Sequence, residues 1–228
     1  GDPVLDRDLW AAAKPPLPAE TDVLLAENGL RVRVIAGSLP PSFRRLLETD
    51  AVHPHGLTFA GRPDDVIPTV SQPGPCTFRV LPDLAGARKD VTLRTASCGI
   101  LVRPTWGGEG KLRVWCEPQI QYGEREDRFH PTGDGTGLTM SGEVPTERYP
   151  GLGFEVVLGP DDHLVIGSPA GADRTLGGVA FSADTGLQAR QRVLLVRGSW
   201  RGAPPADAAG FVPRGRRPVA AEAAKASR

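Results

Sequence analysis

The hydrophobic positions along this chain repeat mostly with a period of two, and the elements they predict are strands. The clearest early example is the stretch Leu30-Arg31-Val32-Arg33-Val34-Ile35, whose alternation predicts a half-buried strand over 30–35. Before it, Val23, Leu24 and Leu25 lie within a short helical stretch over 20–27, which Asn28-Gly29 stops because Gly takes the left-handed conformation at little cost. After it, Pro40-Pro41-Ser42 opens a second short helix over 43–48, with Phe43, Leu46 and Leu47 on one face. These pieces form a helix–strand–helix unit over 19–52. Residues 1–18, with Trp10 ahead of Pro15, Pro16 and Pro18, read as an arm in which Trp10 can anchor.

Residues 53–75 show little periodicity and read as a long loop, with at most one short strand over 57–60. From Cys76 onward strand follows strand, over 77–81, 91–103, 111–122, 138–144, 153–158, 163–166 and 192–200. Trp106-Gly107-Gly108-Glu109-Gly110 connects the second and third as a hairpin. Alternation then places Ile100 and Val102, with Leu112, Val114 and Cys116, toward one core, and Arg113 on the opposite face. The expected architecture is α+β, mainly β: the helix–strand–helix unit, then an antiparallel β domain over 76–202. Residues 203–228, rich in Ala, Pro and Arg around Phe211-Val212-Pro213, lack the apolar content to offset ordering and are expected to be disordered.

Composition agrees with turns and short strands: 28 Gly and 23 Pro in 228 residues. Net charge is zero, so no global field recruits nucleic acid or anionic lipid. Arg214, Arg216 and Arg217 are too few to change that reading and belong to a solvated tail. No apolar run is long enough for a spanning helix, so membrane contact requires a lost N-terminal anchor or strands. The chain opens Gly1-Asp2-Pro3 and its one methionine is Met140, which reads as a removed natural start. A cleaved signal peptide leaves such an end, and so does a cloned fragment.

Candidate chemistry is sparse. His53-Pro54-His55 is the most metal-like feature, yet a site needs a third ligand, and Asp50, Asp64 and Asp65 are held by nothing in the pattern. His130 and His163 sit in turn-like contexts without partners in sequence. Gly133-Asp134-Gly135-Thr136-Gly137 lacks the Lys-Ser/Thr continuation of a phosphate loop and reads as a hairpin tip. Asp161-Asp162 has the composition of a turn. The charge run from Glu124 through Arg125, Glu126 and Asp127 to Arg128 reads as a solvated loop. Cys76, Cys98 and Cys116 match no zinc or redox spacing and read as buried small residues, their disulfide state left open. The expectation is no catalytic residue, no cofactor, no metal and no identified small-molecule substrate.

The order of motifs over 91–201 carries a resemblance. Gly99-Ile100-Leu101-Val102-Arg103-Pro104, a Gly-rich turn, and Leu112-Arg113-Val114-Trp115-Cys116-Glu117-Pro118 together resemble the opening hairpin of the C-terminal β-domain of bacterial secretins. Pro145-Thr146-Glu147-Arg148, the pair formed by 154–158 and 161–167, Leu176-Gly177 with Phe181, and Val193-Leu194-Leu195-Val196 follow in the family's order. Leu25-Ala26-Glu27-Asn28-Gly29-Leu30-Arg31-Val32 is similar to a segment of uncharacterised exported bacterial proteins with such secretin-like halves. The resemblance implies a non-enzymatic cell-envelope protein, in the periplasm or at the outer membrane. It would act as a structural or assembly component of an outer-membrane or secretion-type complex, through protein partners or self-association. The alternative is a monomeric periplasmic β-rich binding module for a cell-wall or small-molecule ligand. The resemblance also implies that 154–158 and 163–166 pair as a hairpin and that 192–200 joins the same sheet.

Overall fold

Fourteen strands and four short α-helices are laid out in a computed structural model that describes residues 4–49, 52–53, 65–124, 126–131, 137–184 and 189–198. Most strands are antiparallel, and the fold is mainly β within the α+β class. The helices are α1 (Trp10–Ala12), α2 (Ala19–Glu27), α3 (Pro41–Leu47) and α4 (Leu176–Phe181). Strands β1 (Arg31–Ile35), β2 (Asp65–Gln72), β3 (Cys76–Val80) and β4 (Lys89–Leu93) come first. The long β5 (Ala96–Gly108) and β6 (Lys111–Tyr122) follow, then β7 (Glu126–Pro131), β8 (Leu138–Glu143) and β9 (Thr146–Arg148). The last are β10 (Phe154–Leu158), β11 (His163–Gly167), β12 (Ser182–Asp184), β13 (Ala189–Gln191) and β14 (Val193–Arg197).

The β5–β6 hairpin is the spine of a five-stranded sheet ordered β10-β6-β5-β2, with β9 beside β10 on the same side of β6. Its turn brings Gly108 opposite Lys111, and the two central residues, Glu109 (φ 50°) and Gly110 (φ 75°), are both left-handed. Two-residue hairpin turns of this hand match the strands' twist. Ile100, Val102, Leu112, Val114 and Cys116 are all buried in one core cluster, as their alternation predicts. Phe154, Val156 and Leu158 extend the same face, while Glu155 and Val157 point away from it.

The second sheet has three strands, β1-β11-β14, with β11 in the centre. Its register pairs Val165 with Arg33 on one side and with Leu195 on the other. Leu164, Ile166, Val32 and Val196 join the main core. Val165 and Ile35 face the other way, into a cluster with Leu5, Leu9, Trp10, Leu39 and Phe43. A helical layer, Val4–Leu9 running into α1 together with α3, thus covers that side, and Trp10 is its anchor.

This arrangement corrects four expectations. The loop over 53–75 contains β2, because Val66, Ile67 and Val70 supply a strand that Pro68 obscures in the pattern; the strand expected over 57–60 lies outside the described residues. The stretch 91–103 breaks at Thr95, whose φ of 45° turns the chain from β4 to β5. Strands β10 and β11 do not pair as a hairpin, and β14 joins β11 rather than the larger sheet. A strand whose five residues are all buried needs cover on both faces, and between β1 and β14 the main core covers one face of β11 and the N-terminal helical layer the other. Finally, the boundary drawn between 19–52 and 76–202 does not divide the structure, since β1 pairs with β11 and Leu25, Leu30 and Val32 sit in the main core. The tail over 203–228 lies outside the described residues.

Asn28-Gly29 does more than stop α2. The buried Asn28 amide donates to Leu24 O (2.8 Å) and Leu81 O (2.9 Å), and its Oδ1 accepts from Leu81 N–H (2.7 Å). Next to it, Gly177 N–H donates to Asn28 O at 2.9 Å, and a Cβ on Gly177 would lie 2.0 Å from Gly29 O. The start of α4 is therefore seated directly on backbone, and Thr175 caps it by accepting from Gly178 N–H (3.1 Å).

Candidate functional site

The titratable groups expected from sequence are scattered rather than gathered. His53 is exposed, and His55, Asp50 and Asp64 lie outside the described residues, as does most of the 133–137 turn. Asp65 sits on β2, and His130 on β7. Glu126, Asp127 and Arg128 belong to β7, which pairs with β8, so that part of the charge run is strand rather than loop. Asp161 and Asp162 build the turn after β10: Asp162 Oδ2 accepts from Gly159 N–H (2.7 Å), and Asp161 Oδ1 accepts from Arg197 (2.7 Å). Among the described residues no group of three His, Cys, Asp or Glu is placed to hold a metal ion.

The three cysteines are unbridged; Cys98 and Cys116 are buried and Cys76 is half-buried. Burial pushes the Cys98 thiol up to about 12, with the nearby Cys76 adding to the rise. Burial also raises Cys116, and it raises Cys76 against the opposing hydrogen bonds of the Cys76 and Leu93 backbone. Thiols held protonated in this way are poor nucleophiles and poor metal ligands. Tyr149 is raised too, first by burial and then by Glu147, and its ring meets Phe78 edge-on at 6.5 Å. His163 is buried at one end of β11. Its pKa is lowered, by desolvation and then by Arg197, against a hydrogen bond to the backbone of Gly37 and the charges of Asp161 and Asp162.

Two surfaces remain, and sequence reasoning singled out neither. One is a groove of about 160 Å³ between α2 and the β1 edge, lined by Asp22, Ala26, Leu30, Arg31, Arg33 and Pro169. Inside it Arg33 donates to Asp22 Oδ1 (2.7 Å) and to Val32 O (2.7 Å). Arg31 lies 4.9 Å from the centroid of the Trp10 ring, a cation–π contact. Both guanidinium groups are thus committed to the fold. The Arg-x-Arg alternation of β1 was visible in the sequence; their partners, Asp22 and Trp10, were not.

The other surface is the perimeter of the five-stranded sheet. Its outer face carries Arg113 3.6 Å from Glu155, and Arg148 donating to the buried Glu117 at 2.9 Å. Its two ends differ. Strand β2 ends the sheet with an exposed Pro68 and a register shift between Pro68 and Ser71. Strand β10 ends it with five regular residues and an exposed Val157. Among the described residues β10 is thus a regular terminal strand, paired with β6 alone. Comparison with protein-family models, curated proteins and solved structures finds no match for the chain. No helix among the described residues is long and apolar enough to cross a membrane.

Proposed function

We propose that this chain is a non-enzymatic structural or assembly component of a bacterial cell-envelope complex, acting by association of its sheet edges with copies of itself or with protein partners. The observation that carries the reading is the end of the five-stranded sheet at β10, a regular strand whose outer side no other strand among the described residues pairs. Burial of the Cys98 and Cys116 thiols and of Tyr149, which raises the pKa of each, supports a role outside nucleophilic catalysis. The envelope location, periplasmic or at the outer membrane, rests on the secretin-like order of motifs over 91–201. Of those motifs, 99–104 and 112–118 pair with each other in β5 and β6, while 154–158 pairs with β6 and 163–166 with β1 and β14.

The groove at Asp22, Arg31 and Arg33 favours a second reading, a monomeric binding module for a small or cell-wall ligand. Light scattering on the purified chain separates the two. An assembly component gives a mass above the 24.2 kDa of one chain, rising with concentration. A strict monomer at high concentration moves the assignment to the binding module.

A further inference from the structure

The backbone directions along β6 settle which groups of β10 face outward. Tyr149 N–H donates to Pro118 O (3.2 Å) and Tyr122 N–H donates to Pro145 O (2.9 Å), so the even-numbered residues of β6 turn toward the β9 and β10 side. Thr105 donates to Arg113 O (3.4 Å), which turns the odd-numbered residues toward β5. In an antiparallel ladder, paired residues alternate between exchanging both bonds and exchanging none. Leu112, Val114 and Cys116 therefore bond Leu158, Val156 and Phe154, their register partners. The N–H and C=O groups of Glu155 and Val157 are directed away from β6, where no other strand among the described residues lies.

We propose that β10 is a homodimerisation strand: two copies pair antiparallel about a two-fold axis at Val156, joining their five-stranded sheets edge to edge. The proposal rests on the association reading above and names the strand, the partner and the symmetry. The edge is self-complementary in register. A pairing centred on Val156 sets Glu155 opposite Val157 of the second copy, and Val157 opposite its Glu155. Each of these pairs exchanges two backbone hydrogen bonds, which satisfies all four outward groups of each copy.

The side chains fit the same register. Val157 is 49% exposed and gains a cross-strand neighbour on the outer face, where directly opposed Cβ atoms stand about 5 Å apart. Each Glu155 keeps its own Arg113 at 3.6 Å, so two carboxylates and two guanidinium groups alternate around the axis without net charge. The opposite end of the sheet cannot do this. By the same alternation, Pro68 on β2 occupies an outward position and has no N–H to offer, and the shift before Ser71 bends the strand away. An isologous pair at β10 closes at two copies.

Sedimentation velocity of the full 228-residue chain across a dilution series tests the proposal. The expected species is twice the 24.2 kDa chain mass. Val157→Pro removes an outward N–H but no bond to another described residue, so it should leave circular dichroism and Tm near wild type and weaken the dimer at least about tenfold. Val157→Glu, which keeps the N–H but sets a carboxylate opposite Glu155 of the second copy, should act the same way, and Ser71→Lys on the β2 end should not change the mass. A folded Val157→Pro or Val157→Glu protein that associates as tightly as wild type overturns pairing at β10 and leaves the association reading standing. A wild-type chain that stays monomeric throughout overturns both.

Discussion

Strand β11 and strand β10 are five residues long, adjacent in sequence and joined by one tight turn, yet they live in opposite surroundings. All of β11 is buried, with Leu164 and Ile166 in the main core and Val165 in the second cluster beneath the N-terminal helical layer. Strand β10 alternates, burying Phe154, Val156 and Leu158 and showing Glu155 and Val157 to solvent. One strand is the centre of its sheet and the other is, among the described residues, the end of its sheet. The turn at 159–162 carries the chain between them, pinned by Asp162 on Gly159 and by Asp161 N–H on Gly198 O (3.1 Å). Burial on both faces commits β11 to stability, while the alternation of β10 leaves Glu155 and Val157 exposed.

Substitutions along the two strands should separate these roles. Ile166→Ala, which empties space at a fully buried site, should cost about 2–5 kcal/mol in chemical unfolding. Val114→Ala, on β6 beneath β10, removes less volume from the same core and should cost about 1–3 kcal/mol. An equal or greater loss for Val114→Ala would break the contrast between the two sheets. Arg113→Ala, on the open face with an ion pair at 3.6 Å and a half-exposed side chain, should stay within about 1 kcal/mol.

His163 gives a pH signature confined to the covered sheet. Its folded pKa lies below the ordinary 6.5, so the unfolded chain binds the extra proton first. Its contribution to stability is fully present above 6.5, declines as pH falls below 6.5, and is lost once pH has passed the folded pKa. Urea midpoints measured across that window should fall for wild type and fall less for His163→Gln. Identical slopes would remove His163 as the cause.

What was legible before the structure followed from locality. The β5–β6 hairpin shows both alternating strands and its Gly-rich turn within one stretch of sequence, so the inward set from Ile100 to Cys116 could be read directly. Strand β2 was hidden by Pro68, which reads as a breaker until its place at a sheet end makes the missing N–H harmless. Helix α4 was hidden because Gly177-Gly178 reads as a turn, whereas here the absent side chains let α4 lie on the Gly29 and Ala172 carbonyls. The pairing of Arg31 with Gly167 spans most of the chain, and a compact turn between β10 and β11 has the same composition whether it closes a hairpin or passes between sheets. The β10 edge was illegible for a related reason: alternation marks its two faces, but only topology makes a strand terminal.

The most direct test of association through β10 is hydrogen exchange at the Glu155 and Val157 amides as a function of protein concentration. The account predicts rapid exchange in dilute solution and slowing as the chain associates, with the neighbouring Val156 amide, bonded to β6, protected throughout. Glu155 and Val157 amides that exchange at the same fast rate at every concentration, in a chain whose measured mass has doubled, would contradict it.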